Sequence, residues 1–437
     1  MSNTLRLKKL LLWAGDILIL YISLLLTVFL GFWGSFSADI LLLHLAPFSI
    51  IYLVWLIIFY IFGLYDLHLI KTKISFYSQA ILAVGTSLIF GMLFFYTVPL
   101  FNIAPKTNLI INGLIFGILF LAWRNLFYAL FSVHFLNRVA IVGTGTQVKE
   151  LRKEIAERPY LGYQIVPINL NQDFFQQIEK SNIDTVIFTE EFESDPKMLK
   201  ALYFCLPARV NFLEFSRTYE LIYEKIPISM ISKAWFLENL REGERRFYDT
   251  VKRLFDIILA VLLLIFTSPL WILIALAIIL EDRGPIIYSQ KRIGRDRKPF
   301  VLYKFRSMRV GAEKGKAVWA KRKDKRVTKV GGFLRKIHLD EIPQMINVIR
   351  GDISLVGPRP ERPEFVEKLE KEIPHYHLRH LIKPGFTGWA QIKFRYGRSI
   401  MDSHEKFQYD LYYLKNRNIL LDMGILLRTF QLFFKHE

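Results

Sequence analysis

The sequence predicts a membrane protein in three parts: a four-helix transmembrane bundle over residues 1–136, a Rossmann-like α/β domain over 137–240, and a strongly basic domain over 241–437 seated on a re-entrant membrane helix at 254–280. Three observations predict it. Four long apolar stretches fill the first third of the chain, a strand, glycine turn and amphipathic helix begin at 138, and a fifth apolar stretch is interrupted near its middle by Ser268 and Pro269. Hydrophobic residues make up 52% of the 437 positions at a mean hydropathy of +0.28, which excludes a purely soluble or disordered chain.

The apolar stretches at 10–32, 45–62, 80–101 and 109–135 are each near the ~20 residues that cross hydrocarbon. Arg6, Lys8 and Lys9 precede the first and Lys71 and Lys73 separate the second from the third, whereas the other connections offer little beyond Lys106. The positive-inside rule then puts both ends of the bundle in the cytoplasm. No small-residue cleavage site follows the first stretch, so it is read as a retained span. Asp16 and Arg124 fall inside these segments, where a charge needs a partner or a role.

From Asn137 the composition becomes that of a soluble α/β unit. Arg138-Val139-Ala140-Ile141-Val142-Gly143-Thr144-Gly145 reads as a strand and tight turn, with an amphipathic helix from Gln147 and a later parallel strand at Thr185-Val186-Ile187-Phe188. The third glycine of a dinucleotide fingerprint would fall at Val148, and no acid stands near Asn169 to hold a ribose. The sheet is therefore expected to serve dimerisation or regulation. Cys205, the single cysteine, excludes an intrachain disulfide framework or Cys-rich metal site and is expected to be a packed thiol.

The stretch at 254–280 is long enough to span, but Thr267-Ser268-Pro269 lies in its interior, where proline removes a helix hydrogen bond and predicts a sharp kink. From residue 281 onward there are 34 Lys plus Arg against 18 Asp plus Glu, so +16 of the net +19 lies beyond it. Arg245, Arg246, Lys252 and Arg253 before it and Arg283 after it suit one anionic leaflet on both sides. A hairpin that returns to the cytoplasmic face accounts for all three facts, and an ordinary proline-kinked span is the alternative. Nucleic-acid binding would explain the charge but not the spans, and is set aside.

The chemistry concentrates at 335–351. Pro343 suits the first turn of a helix and Gly351 its C-terminal cap, which puts Asp340 and Glu341 at a helix N-terminus, favourable to ionised carboxylates and to oncoming phosphate. Two acids there also serve as simple caps. Surrounding cations favour the chemical reading, because a carboxylate that attacks phosphate must be shielded from its charge. Lys304 and Arg306 lie in Tyr303-Lys304-Phe305-Arg306-Ser307-Met308, Arg335 stands just before the pair, and Arg359 is fixed between prolines in Gly357-Pro358-Arg359-Pro360. Gln391 closes a turn-rich loop, Lys383-Pro384-Gly385-Phe386-Thr387-Gly388-Trp389-Ala390-Gln391, and Asp410 adds a third acid for magnesium or phosphate binding.

These blocks, with Ser268-Pro269 and Gln290-Lys291-Arg292-Ile293-Gly294, resemble the bacterial sugar transferases, the monotopic phosphoglycosyl transferases, from about Lys252 to the end. The front end resembles that of the family's large subclass, and Tyr223-Glu224-Lys225-Ile226-Pro227 and Trp235-Phe236-Leu237 resemble its bridge into the catalytic domain. The resemblance implies an α+β monotopic catalytic domain at the cytoplasmic face of a bacterial inner membrane, with UDP-sugar and polyprenyl phosphate as substrates and magnesium as cofactor. It implies that Asp340 attacks the sugar-bearing phosphate, releases UMP, holds a phosphosugar ester and meets magnesium, with Glu341 as neighbouring base or metal-shaping acid. Lys304, Arg306, Arg335, Arg359, Gln391, Arg395 and Asp410 would line the substrate site, and the chain would act as a homodimer. The sequence departs from the family at Arg297, where glycine is usual, at Lys393-Phe394-Arg395 in place of Asn-Gly-Arg, and at Arg417-Asn418 in place of Trp-Ser. Loops of this kind choose the sugar. Two other classes compete: a non-catalytic membrane scaffold or nucleotide sensor, and a membrane-bound nucleotide-sugar dehydratase or epimerase. The latter requires a complete glycine fingerprint and a Tyr-x-x-x-Lys pair after a strand, and neither is present.

Overall fold

A computed structural model of the chain describes residues 2–65, 73–98, 106–133, 137–157, 163–169, 174–189, 191, 195–206, 210–240, 245–312, 324, 326–394 and 399–434. These form two compact units, Met1–Tyr223 and Glu224–Glu437.

In the first unit, α1 (Ser2–Gly31), α2 (Ala38–Ile61), α3 (Lys73–Thr97) and α4 (Lys106–Val133) carry the four apolar stretches, and each is long and apolar enough to cross a membrane. Polar groups tie them to one another. Arg124 of α4 pairs with Asp16 of α1 at 2.6 Å, both fully buried, so the two charges within the apolar segments answer each other. Further along, Asn112 donates to Ser23 and Thr27 at 3.1 and 3.3 Å and accepts from Tyr52 of α2 at 3.1 Å, the interhelical hydrogen bonding that replaces hydrophobic drive in lipid.

The α/β region is a parallel sheet of β1 (Asn137–Val142), β2 (Tyr163–Ile165), β3 (Thr185–Phe188) and β4 (Asn211–Glu214) in the order β2-β1-β3-β4. Apolar runs at β1 and β3 supply its core, with Ala140, Val142 and Val186 packed against Ile178, Leu202 and the buried Cys205 thiol. Gly143 follows β1 at φ +147, and a Cβ there would lie 2.4 Å from Thr189 Cγ2. Only glycine turns the chain here.

The second unit begins earlier than the 240/241 boundary expected from sequence. Ile226, Ile228, Trp235 and Phe236 pack with Leu369, Ile373, Phe407 and Leu411, because this bridge is too apolar to stay in water. Lys225 is buried and paired with Glu405 at 2.7 Å.

The membrane helix Arg246–Glu281 has 36 residues and continues as helix through Ser268 and Pro269. Pro269 cannot donate to the carbonyl of Ile265, and the Ser268 hydroxyl donates to that carbonyl instead at 2.8 Å. Thr267 likewise bonds Leu263 at 2.6 Å. Leu262, Ile265, Phe266, Ile272 and Leu273 are exposed around the middle of the helix. Both flanks pack on the same unit: Ala260 joins Val348, Leu355 and Tyr413, whereas Ile274 and Ile278 join Phe305 and Leu334.

Strands β5 (Ile287–Ile293) and β6 (Pro299–Phe305) form an antiparallel hairpin in which Tyr288 faces Lys304. Arg297 sits in its turn at φ +60. Strands β7 (Ser354–Val356) and β8 (Gly385–Thr387) pair in parallel, and Gly385 is forced: a Cβ there would lie 2.0 Å from the Gly357 nitrogen. The Gly-Pro-Arg-Pro and Lys-Pro-Gly-Phe-Thr-Gly blocks are thus one backbone-to-backbone contact.

Candidate active site

Asp340 and Glu341 lie in a single 3-10 turn, Leu339–Glu341, ahead of the helix Gln344–Arg350 rather than in its first turn. The reason is His338, whose left-handed backbone (φ +55) tightens the chain so that i→i+3 bonds run from Glu341 to Met345. Pro343 starts the following helix and Gly351, at φ +90, ends it.

Both acids are buried, at 6% and 8% exposure, and line a cavity of about 760 Å³. Their environments differ. One oxygen of Glu341 accepts from Lys304 Nζ at 2.6 Å and from Arg359 Nη2 at 2.8 Å. Burial opposes its charge, but Arg359 and Lys304 outweigh it and hold Glu341 well below the usual carboxylate range. Asp340 makes no hydrogen bond or ion pair among the described residues, and burial together with the adjacent Glu341 charge pushes its carboxyl up against the pull of Lys304 and Arg335. One carboxylate is clamped; the other faces the cavity unpartnered.

β6 delivers Lys304, and Arg359 follows three residues after β7. Arg335, at the end of the helix Lys329–Lys336, is steadied by Ser307 at 2.7 Å and lines the cavity. Arg306 also lines it, but its guanidinium bonds the carbonyl of Asp282, at the end of the membrane helix. Asp410 lies elsewhere on the lining, paired with Arg379 at 2.9 Å and pushed up to about 6 by burial. Gln391 is not among the lining residues and donates weakly to the Phe386 carbonyl at 3.4 Å. Arg395 lies outside the described residues.

A magnesium ion requires oxygen ligands, and no cluster of three His, Cys, Asp or Glu suits a metal among the described residues. The unpartnered Asp340 still fits an ion that takes one carboxylate and completes its shell with substrate phosphates and water.

Sequence reading missed two supports. Arg379 bonds Asp410, Tyr376 and the backbone carbonyl of Arg359 at 2.9 Å, and nothing in the sequence couples it to partners 20 and 31 positions away. Asn347, fully buried, bonds Tyr303 N and Val301 O at 3.1 and 2.7 Å and so ties the Lys304 strand to the helix that follows the acid pair. A lone amide in the apolar run Met345-Ile346-Asn347-Val348-Ile349 was its signal.

Fold and site together define a membrane protein with an apolar N-terminal helical part and a mixed α/β unit whose cationic cleft is lined by Asp340, an acid without a partner among the described residues. Residues 247–436 match the bacterial sugar transferase family model, and the chain belongs to that family. It is 43% identical over 182 residues to the UDP-N-acetylgalactosamine-undecaprenyl-phosphate N-acetylgalactosaminephosphotransferase of Aeromonas hydrophila, covering 42% of this chain and 43% of that one. It is 33% identical over 316 residues to the UDP-glucose:undecaprenyl-phosphate glucose-1-phosphate transferase of Escherichia coli K12, covering 67% and 66%. With the undecaprenyl-phosphate galactose phosphotransferase of Salmonella typhimurium it shares 36% over 214 residues, covering 46% and 43%. The matches thus span between two fifths and about two thirds of these relatives' lengths, and the three names carry three different sugars.

Proposed function

We propose that the chain transfers hexose 1-phosphate from a UDP-sugar to polyprenyl phosphate at the cytoplasmic face of the membrane, the initiating step of a surface glycan. The observation that carries this reading is the asymmetry of the acid pair: Glu341 is held ionised by Lys304 and Arg359, and Asp340 is buried, unpartnered among the described residues and open to the cavity. An Asp340 oxygen attacks the sugar-bearing phosphorus, the bond from that phosphorus to the bridging oxygen breaks, and UMP leaves with the electron pair. An oxygen of polyprenyl phosphate then attacks the same phosphorus and displaces Asp340. Lys304, Arg335 and Arg359 offset the charge of anion approaching anion, and Glu341 keeps two of these cations aimed. Asp340 would hold magnesium, which when bound neutralises diphosphate charge.

The re-entrant reading of 254–280 draws support from the packing of both flanks of the membrane helix on one unit and from the exposed apolar residues between them. The four-strand parallel sheet, with its glycine turn after β1, supports a Rossmann-like fold for the region before the bridge. The test is to incubate the purified protein with polyprenyl phosphate, magnesium and a panel of UDP-sugars and to follow UMP. Release that Asp340→Asn abolishes is expected; release at the wild-type rate from Asp340→Asn removes the mechanism.

A further inference from the structure

The membrane helix enters the catalytic unit as more than an anchor. Arg253 and Asp256 stand three residues apart on it, hence on one face, and each reaches a different part of the site's framework. Arg253 donates to the carbonyls of Val348 and Ile349 at 2.6 and 2.7 Å, in the last turn of the helix Gln344–Arg350. A guanidinium there satisfies two helix-end acceptors and meets the negative end of the dipole. The same short helix begins just after Glu341, so Arg253 fixes the far end of the segment that carries both acids.

Asp256 is 3% exposed and accepts from Ser354 Oγ at 2.7 Å and from the Leu355 N–H at 3.2 Å. Both partners belong to β7, which ends at Val356, three residues before Arg359. Lys252 and Tyr248, from the preceding turn, add bonds of 2.8 and 2.7 Å to Asp422 and fix the helix against the C-terminal helix Ile419–Phe434. The gap that must be held constant is the 2.8 Å between Arg359 Nη2 and Glu341 Oε1, and its two sides come from segments without a direct backbone pairing to each other. The membrane helix contacts both.

We propose that Arg253 and Asp256 are positioning residues for the transfer reaction, setting Arg359 against the acid pair from the base of the membrane helix. This rests on the function proposed above. A misplacement of about 1 Å at a reacting group costs on the order of 100-fold in rate, so the expected signature is a fall in kcat with donor KM kept.

The experiment uses the full chain in lipid nanodiscs, with the UDP-sugar that gives wild-type UMP release. Absence of release from the wild type with every donor would count against the function itself, whereas the variants bear on the positioning role alone. Asp256→Ala should lower kcat about 10- to 100-fold at unchanged KM, and Asp256→Asn, which can still accept from Leu355 and bond Ser354, should restore most of it. Combining Asp256→Ala with Arg359→Lys should cost less than the product of the two single losses, since the first acts through the second. Hydrogen exchange supplies a readout that needs no turnover: amides at 354–359 should exchange faster in Asp256→Ala and as in wild type in Asp256→Asn, with the helix Ile400–Asn416 unchanged. Multiplicative rate losses, or faster exchange spread evenly over the whole unit, would overturn the proposal and leave Asp256 a residue of general stability. If Asp256→Ala does not fold, Ser354→Ala removes one of the two bonds and must show the same kcat-only loss.

Discussion

Replacing each acid of the pair by its amide should move stability in opposite directions. Glu341→Gln leaves Lys304 and Arg359 without their shared carboxylate oxygen. Breaking a buried pair costs about 3–5 kcal/mol, but the Arg359 side chain is 41% exposed and regains water, so about 2–4 kcal/mol is expected. At about 2–4 °C per kcal/mol for a domain of this size, Tm should fall by about 5–15 °C. Asp340→Asn keeps the shape and deletes a buried charge that has no partner among the described residues and stands beside another anion. Relieving such an active-site strain returns about 0.5–2 kcal/mol, or about 1–8 °C. The pH sign follows from the raised carboxyl. It adds stability below its unfolded value of about 3.9 and withdraws it as pH rises through the folded value, so the gain from Asp340→Asn should be absent at low pH and grow as pH rises. Thermal unfolding of the full chain, in excess chelator and without substrate, reads both variants. If Asp340→Asn melts below wild type together with Glu341→Gln, Asp340 is a structural cap of the helix Gln344–Arg350 and the reasoning fails.

A fragment beginning at Arg241 contains every residue assigned to chemistry but discards Ile226, Ile228, Trp235 and Phe236, which cover Phe407 and Leu411. A fragment beginning at Glu224 should therefore release UMP and melt well above the shorter one; equal Tm values would show that the bridge adds nothing. Arg297→Gly should melt about 2–4 °C above Arg297→Ala, because φ +60 penalises any Cβ by about 1 kcal/mol whereas both variants lose the Glu370 pair equally. With Cys205→Ser as background, single cysteines placed near Thr250 and Gly294 should both resist an impermeant thiol reagent in whole cells and react after permeabilisation. External labelling at Gly294 alone would make the membrane helix a simple span and strand the cleft away from cytosolic nucleotide.

Hydropathy located all four N-terminal helices but not their starts: α2 begins at Ala38, not 45, because a Ser37 cap and Asp39 precede its apolar run. The runs at 138–142 and 185–188 were legible as strands because buried parallel strands are continuously apolar. β2, β7 and β8 have three residues each, too few for any periodicity to show. At the site, Asp340, Glu341, Lys304 and Arg359 were readable as a set of opposite charges near proline and glycine punctuation, and they do converge on one cavity. Their division was not. That Glu341 takes both cations and Asp340 takes neither depends on which side of a 3-10 turn faces β6, and a left-handed histidine decides that. Arg306 looked equivalent to Lys304 two residues before it, yet it reaches back to Asp282.

The bond from Ser268 to the Ile265 carbonyl has a bearing on how this polypeptide is made. A proline within a helix leaves one acceptor bare, and in hydrocarbon a bare acceptor costs several kcal/mol because no water can reach it. Here the neighbouring hydroxyl closes the circuit within three residues, so that carbonyl needs no second helix, ordered water or lipid head group to complete it. At the proline, then, the helix need not wait for the domain that comes after it in translation, whereas Arg253 and Asp256 at its base find their partners only once that domain has folded.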